Sequence, residues 1–185
     1  MQIYYSSLKA IEQQTEQLDN ECCTHCKQAH QLLSHGFIYQ KQGCTEPQAI
    51  GKRVFCSNRN QHVGCGRTMQ LYLSTRVKKL CSAGSLVVAF VLALMTGMTA
   101  QCAYYQVRRI ADPRNAYRWL NRLCAQLSDY RSVLHQPPLA DADAFAAPNR
   151  PVRWQLLFST FNVLQQQFGQ PLCANFQLQL QRSFL

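Results

Sequence analysis

The spacing of apolar positions divides the chain into segments of different character. Residues 4–19, YYSSLKAIEQQTEQLD, set Leu8, Ile11 and Leu18 at loosely helical intervals among good helix formers, which predicts a short amphipathic lead helix. In residues 31–39 apolar side chains flank Ser34-His35-Gly36, a pattern that suits a β-hairpin turning at those three residues. The stretch QKQGCTEPQAIGKR, with Gly43, Pro47 and Gly51, reads as loop, and Arg53-Val54-Phe55 reads as a strand leading into Cys56.

Further along, residues 86–95 are apolar without interruption, but ten residues are half of the roughly 20 needed to cross a bilayer, so this is a core helix and no membrane is implied. Ser85 suits its cap and Gly97 its left-handed stop. Thr99 caps a second helix, AQCAYYQVRRI, with Ala103, Val107 and Ile110 at offsets of three or four. Asp112 caps a third, with Pro113 in its first turn and Ala116, Trp119, Leu120, Leu123 and Leu127 at core spacing. After Leu134 the Pro- and Ala-rich HQPPLADADAFAAPNRP reads as a linker. Residues 152–168 then place Trp154, Leu157, Phe158, Phe161 and Leu164 on one helical face, and Phe176, Leu178 and Leu180 alternate as in a short strand.

These patterns give the expected organisation: a lead helix over 1–21, a zinc ribbon over 22–80, a helix-turn-helix over 81–134, a linker over 135–151, and a C-terminal helix and tail over 152–185. The expected fold is mainly α with a small β zinc ribbon. At 185 residues there is room for two small modules and a tail.

The zinc expectation comes from the cysteines. Of ten, Cys23 and Cys26 stand two residues apart in CTHC, and Cys56 and Cys65 stand eight apart in CSNRNQHVGC. Two local pairs can supply four thiolates at about 2.3 Å from one tetrahedral Zn²⁺, and a longer loop between the pairs costs little extra closure entropy. The 29 residues between Cys26 and Cys56 are long for a compact ribbon. His62 and Cys44 stand as alternatives to Cys65 for the fourth position, His25, His30 and His35 lie nearby, and Cys22 competes with Cys23 for the knuckle. Cys81, Cys102, Cys124 and Cys173 sit in apolar segments and read as small core residues. The N-terminus lacks a charged segment followed by an apolar run, so the expected compartment is a reducing cytosol, where clustered cysteines favour metal over disulfide.

Charge adds the partner. The net charge is +10, and between Lys52 and Arg131 thirteen Lys or Arg stand against two acidic residues, Asp112 and Asp129. A field of that sign concentrates polyanions, with nucleic acid the commonest. On the third helix Arg114, Asn115, Arg118 and Arg122 recur at helical intervals opposite the apolar stripe, as on a recognition helix. Lys52, Arg53, Arg59, Arg67, Arg76, Lys78 and Lys79 are candidate contacts to the DNA backbone.

The segments CTHC, HGFIY, RVFCSNRNQHVGCGRT and FVLALMTGMTAQCAYYQVRRIADPRNAYRWLNRL together resemble the N-terminal zinc-ribbon plus helix-turn-helix region of bacterial insertion-sequence transposases and their accessory proteins, over residues 22–125. The resemblance implies that Cys23, Cys26, Cys56 and Cys65 are the knuckle ligands of a structural Zn²⁺ and that Arg118-Trp119 belongs to a helix binding the end of a mobile element. The second knuckle departs from the family in its eight-residue spacing. The catalytic core of such transposases, three carboxylates holding two Mg²⁺ ions, has no counterpart: past the third helix come only Asp129, Asp141 and Asp143.

The expectation is therefore a non-catalytic, zinc-stabilised DNA-binding protein with no small-molecule substrate, an accessory or regulatory relative of mobile-element transposases, bacterial, cytoplasmic and nucleoid-associated. The competing expectation is an adaptor within a recombinase or other nucleic-acid complex, binding a protein partner through residues 152–185. A Cys23/Cys26 redox pair would need a βαβ setting that the pattern does not offer.

Overall fold

The computed structural model describes residues 2–41, 46–135 and 151–185. Cys44, Asp141, Asp143 and nearly all of the expected linker fall outside the described residues. Two compact units divide the chain: one comprises the chain through Arg76 together with Phe176–Phe184, and the other Val77–Asn175 with Leu185.

The first unit is built on a four-stranded sheet. Its strands are β1 (Gln2–Tyr5), β2 (Leu32–Gln40), β3 (Gln48–Cys56) and β4 (Thr68–Leu73), in the order β1-β4-β3-β2. β1 runs parallel to β4, and the other pairs are antiparallel. Cross-strand register puts Val54 opposite Met69 and Leu32 opposite Cys56. On that face packs helix α1 (Leu8–Glu16), whose cap Ser7 accepts the Ala10 N–H at 3.1 Å. Ile11, Leu18, Leu32, Val54, Met69 and Leu71 make a core that also contains the sulfurs of Cys23 and Cys56. The cysteine site thus grows directly out of the hydrophobic core, each buried aliphatic side chain of which contributes about 1.5–3 kcal/mol.

The second unit is helical: α2 (Gly84–Met95), α3 (Ala100–Arg108), α4 (Pro113–Ala125), α5 (Leu127–Val133) and α6 (Val152–Phe168). Phe90, Tyr104 and Trp119, one from each of α2, α3 and α4, meet edge-on, with centroids 5.6 Å apart for Phe90–Trp119 and 5.3 Å for Tyr104–Trp119. α6 lies against α4 and α5 and buries Leu157, Phe161 and Leu164. Much of the apolar stripe that suggested a protein partner is therefore covered within the chain's own unit. Among the described residues no helix is long and apolar enough to cross a membrane.

Several expectations are corrected. The fold is mixed α/β, because the sheet is larger than a ribbon hairpin and recruits β1 from the expected lead helix. Ser34-His35-Gly36 makes no turn: the three residues form a bulge inside β2, with Gly36 at φ +88° and the register shifting between Ser34 and Phe37. Much of the expected loop is strand β3. α2 starts at Gly84 with Ala83 as a cap that makes no side-chain bond, so Ser85 lies inside the helix. α3 stops at Arg109, φ +55°, leaving Ile110 exposed. The alternating tail is helix α7 (Leu172–Leu180) rather than a strand. Its Gln177 is fully buried and donates to the carbonyls of Ser74 at 2.6 Å and Arg76 at 3.1 Å, while Gln181, just past the helix, pairs both backbone groups of Tyr4 on β1. Those glutamines satisfy buried or edge backbone groups, which alternation of hydrophobicity does not encode. Cys124 and Cys173 are buried as expected, but Cys81 and Cys102 are exposed.

Candidate metal centre and basic helix face

Two local structures assemble the cysteine quartet. The first is a tight turn held by Cys23 N–H to the Gln28 carbonyl at 2.9 Å and Lys27 N–H to the Cys23 carbonyl at 2.8 Å, with Lys27 at φ +61°. Within it the His25 N–H points at Cys23 Sγ at 3.4 Å, so the turn supplies a donor that favours a thiolate. The second forms where β3 ends. Cys56 N–H bonds the Arg67 carbonyl at 2.9 Å and Gly66 N–H bonds the Cys56 carbonyl at 2.9 Å. Gly64 N–H then closes on the Ser57 carbonyl at 2.7 Å. The eight-residue spacing is thereby resolved: the loop is pinched at its base, Cys56 and Cys65 become neighbours across the pinch, and the Cys65 N–H lies 3.2 Å from Cys56 Sγ.

Gly64 is required for this pinch. A Cβ there would lie 2.5 Å from Cys56 Sγ and closer still to the Ser57 carbonyl oxygen. Gly66 has a different reason, its φ of +71°.

The four sulfurs all lie within 4.8 Å of one another. Cys23 and Cys65 are 3.7 Å apart, as are Cys26 and Cys56. A tetrahedron with metal–sulfur bonds of about 2.3 Å has edges of about 3.8 Å, so the quartet fits a four-coordinate ion with little adjustment. Cys23 and Cys56 are buried, Cys26 is half-buried and Cys65 exposed. Burial pushes the Cys23 thiol up, but the N–H groups of Cys26 and His25 together with the neighbouring thiols outweigh it and bring it to about 7. At Cys56 burial wins, the three other thiols add to it, and the group is pushed up to about 12. A cation at the centre of the quartet reverses that penalty, because it stabilises every thiolate at once. These residues can hold a metal ion.

Two of the alternative ligands, His62 and His25, have polar partners of their own. His62 Nδ1 lies 3.2 Å from Gln31 Oε1, which also accepts the Val63 N–H at 2.9 Å. His25 Nδ1 faces Arg67 Nη1 at 3.2 Å. His35 packs against the Phe55 ring, and Cys22 is exposed with its backbone bridged to Ala29.

On α4 the apolar stripe is buried, and the opposite face carries the charge. Asp112 accepts the Asn115 N–H at 3.0 Å, and its carboxyl is held below the usual range first by that bond, with the Arg114 N–H and the Arg118 charge adding to it. The Asn115 side-chain amide also donates to Asp112, which ties back the residue best suited to reading a base edge. Arg114, Tyr117, Arg118, Asn121, Arg122 and Ala125 line one open groove of about 630 Å³. Sequence reasoning found the arginines but missed Tyr117 and Asn121, which share the face at offsets of three from Arg114 and Arg118.

The remaining basic candidates are dispersed. Lys52 is turned inward, donating to Thr15 Oγ1 at 3.0 Å with Nζ 5.1 Å from the Phe37 centroid. Arg76 donates to Gln48 Oε1 at 3.0 Å. Arg53, Arg59, Arg67 and Lys78 are exposed, and Lys79 falls in the turn before Cys81. Comparison with protein-family models, with curated proteins and with solved structures finds no match to this chain.

Proposed function

We propose that this chain is a non-catalytic DNA-binding protein, its first unit stabilised by one structural Zn²⁺ on Cys23, Cys26, Cys56 and Cys65 in a ribbon-like site, and its DNA contact made by α4. An all-thiolate quartet at tetrahedral spacing suits zinc, and four protein ligands leave no open position for a reacting water. The observation that carries the DNA reading is the basic face of α4, where Arg114, Arg118 and Arg122 share one groove while Trp119 anchors the opposite side among Phe90 and Tyr104. Guanidinium groups at that spacing suit successive phosphates, and the strongly positive middle of the chain favours a polyanion at long range. With Asn115 tied to Asp112, the arginines are the principal contacts. The motif residues that resemble the transposase region support an accessory or regulatory role at a mobile element, in a bacterial cytoplasm at the nucleoid.

The test is fluorescence anisotropy of the zinc-loaded full chain on single- and double-stranded DNA across a salt series. Changing Arg114, Arg118 and Arg122 to Ala should weaken binding and lower the salt slope by about 2–3, at roughly 0.7–0.9 for each phosphate that is no longer neutralised. An unchanged slope and affinity would sink the proposal.

A further inference from the structure

The face of α4 that carries the arginines also carries an aromatic ring. Tyr117 is 47% exposed, well beyond what a packing role for a ring requires, and it sits in the groove between Arg114 on one side and Arg118 and Asn121 on the other. The groove is shallow and open to solvent, a shape that suits a strand laid across it. Arg122, half-buried, completes the basic lining of the same groove.

Duplex and single-stranded DNA make different demands on such a face. Reading a duplex uses polar side chains that reach base edges, of which Asn and Gln are suited to adenine. Asn115 is tied to Asp112, and the groove pairs the exposed amide of Asn121 with the exposed ring of Tyr117. An exposed ring among cationic groups is the composition of single-strand sites, because any unpaired base offers a π-face while its phosphates meet the charge. We infer that the α4 groove holds an unpaired nucleotide, its base stacked on Tyr117 and its phosphates on Arg114, Arg118 and Arg122, so that the chain binds single-stranded DNA in preference to duplex. This rests on the DNA-binding reading above. An unpaired stretch of RNA shares the chemistry, and an oligo-U probe separates the two sources.

The experiment measures affinity of the zinc-loaded full chain for oligo-dT and oligo-U of about 12 nucleotides, and for a duplex of the same length, a size within the range of single-strand sites. Tyr117→Ala should weaken oligo-dT binding about tenfold, the effect of losing one stacked base, and leave duplex affinity and the salt slope unchanged. Tyr117→Phe should retain wild-type binding, and thermal melting should show both variants folded. Equal binding of oligo-U and oligo-dT supports an unpaired-nucleotide site indifferent to the sugar. Tyr117→Ala that weakens both strand forms alike, or neither, overturns the inference while leaving the arginine-based reading standing. If Arg114→Ala/Arg118→Ala changes no probe, the DNA-binding reading itself fails.

Discussion

Gly64→Ala is the sharpest probe of the cysteine site, because the substitution adds one methyl group and removes no ligand. That methyl would be placed 2.5 Å from Cys56 Sγ, against ordinary heavy-atom contacts of about 3.5–4.0 Å, so relief of about 1 Å is required. The relief has few routes. Gly64 is pinned by its N–H to the Ser57 carbonyl at 2.7 Å, and Cys65 follows immediately with its N–H 3.2 Å from the same sulfur. Either Cys56 Sγ or Cys65 must move, together with the Ser57 carbonyl oxygen, which the methyl meets closer still, and metal–ligand distances tolerate only about 0.2 Å. Perturbations beside a metal ligand typically lower affinity about 10–100-fold, or about 1.4–2.7 kcal/mol, which is the range expected here. The assay is competition for Zn²⁺ against a chromophoric chelator, with circular dichroism to confirm folding. Gly66→Ala is the control: its φ of +71° strains any side chain by about 1–2 kcal/mol, but its Cβ meets the Asn58 side chain at 3.1 Å and no sulfur. Gly66→Ala should therefore lower the melting temperature with little specific effect on zinc. A folded Gly64→Ala protein that binds zinc as tightly as wild type refutes the reasoning.

Trp119→Ala, which removes the 1%-exposed ring at the centre of the second unit, should destabilise it by about 3–5 kcal/mol, read by denaturant unfolding. Asp112→Ala removes the cap of α4 and the charge beside Arg118; α4 should fray in hydrogen exchange, while DNA affinity holds or rises. In the metal-free protein, Cys23 is lowered from 9.0 to about 7, so its contribution to stability is full above pH 9 and is lost as pH falls through about 7. Cys56 is raised to about 12, so its contribution is full below pH 9 and is lost as pH rises toward 12. These two thiols place the metal-free optimum near pH 9, and urea denaturation in chelator across pH checks it. Zinc affinity, by contrast, should fall with acid, most steeply below about pH 7, where Cys23 also takes up its proton.

What the sequence made legible was local. Asp112 and Thr99 are caps because a short acceptor before a helical run has one good use, and both side chains accept the expected N–H groups. The apolar stripe of α4 buries Ala116, Trp119, Leu120 and Leu123 as its spacing predicts. The four cysteines meet, although the eight-residue spacing hid how: the pinch depends on backbone bonds from Gly64 and Gly66 whose pattern no short motif records. The misses are long-range. β1 joins the sheet beside β4, some seventy residues away, through backbone pairing that four residues cannot announce. The tail's alternation of Phe176, Leu178 and Leu180 is equally compatible with a helix once Gln177 has buried carbonyls to bind, and only tertiary structure supplies those. Tyr117 was overlooked because a tyrosine within a helix reads as core until its exposure is known.

The proposed zinc coordination underlies the rest, since a metal ion on the quartet would tie the two cysteine pairs to the core of the first unit. X-ray absorption at the zinc K-edge, with metal content measured on the same sample of full-length protein, tests it most directly. The account predicts one zinc per chain with about four sulfur neighbours at about 2.3 Å and no imidazole scattering. A coordination shell containing nitrogen from a histidine, or protein that stays metal-free when purified from zinc-supplemented cells, would contradict it.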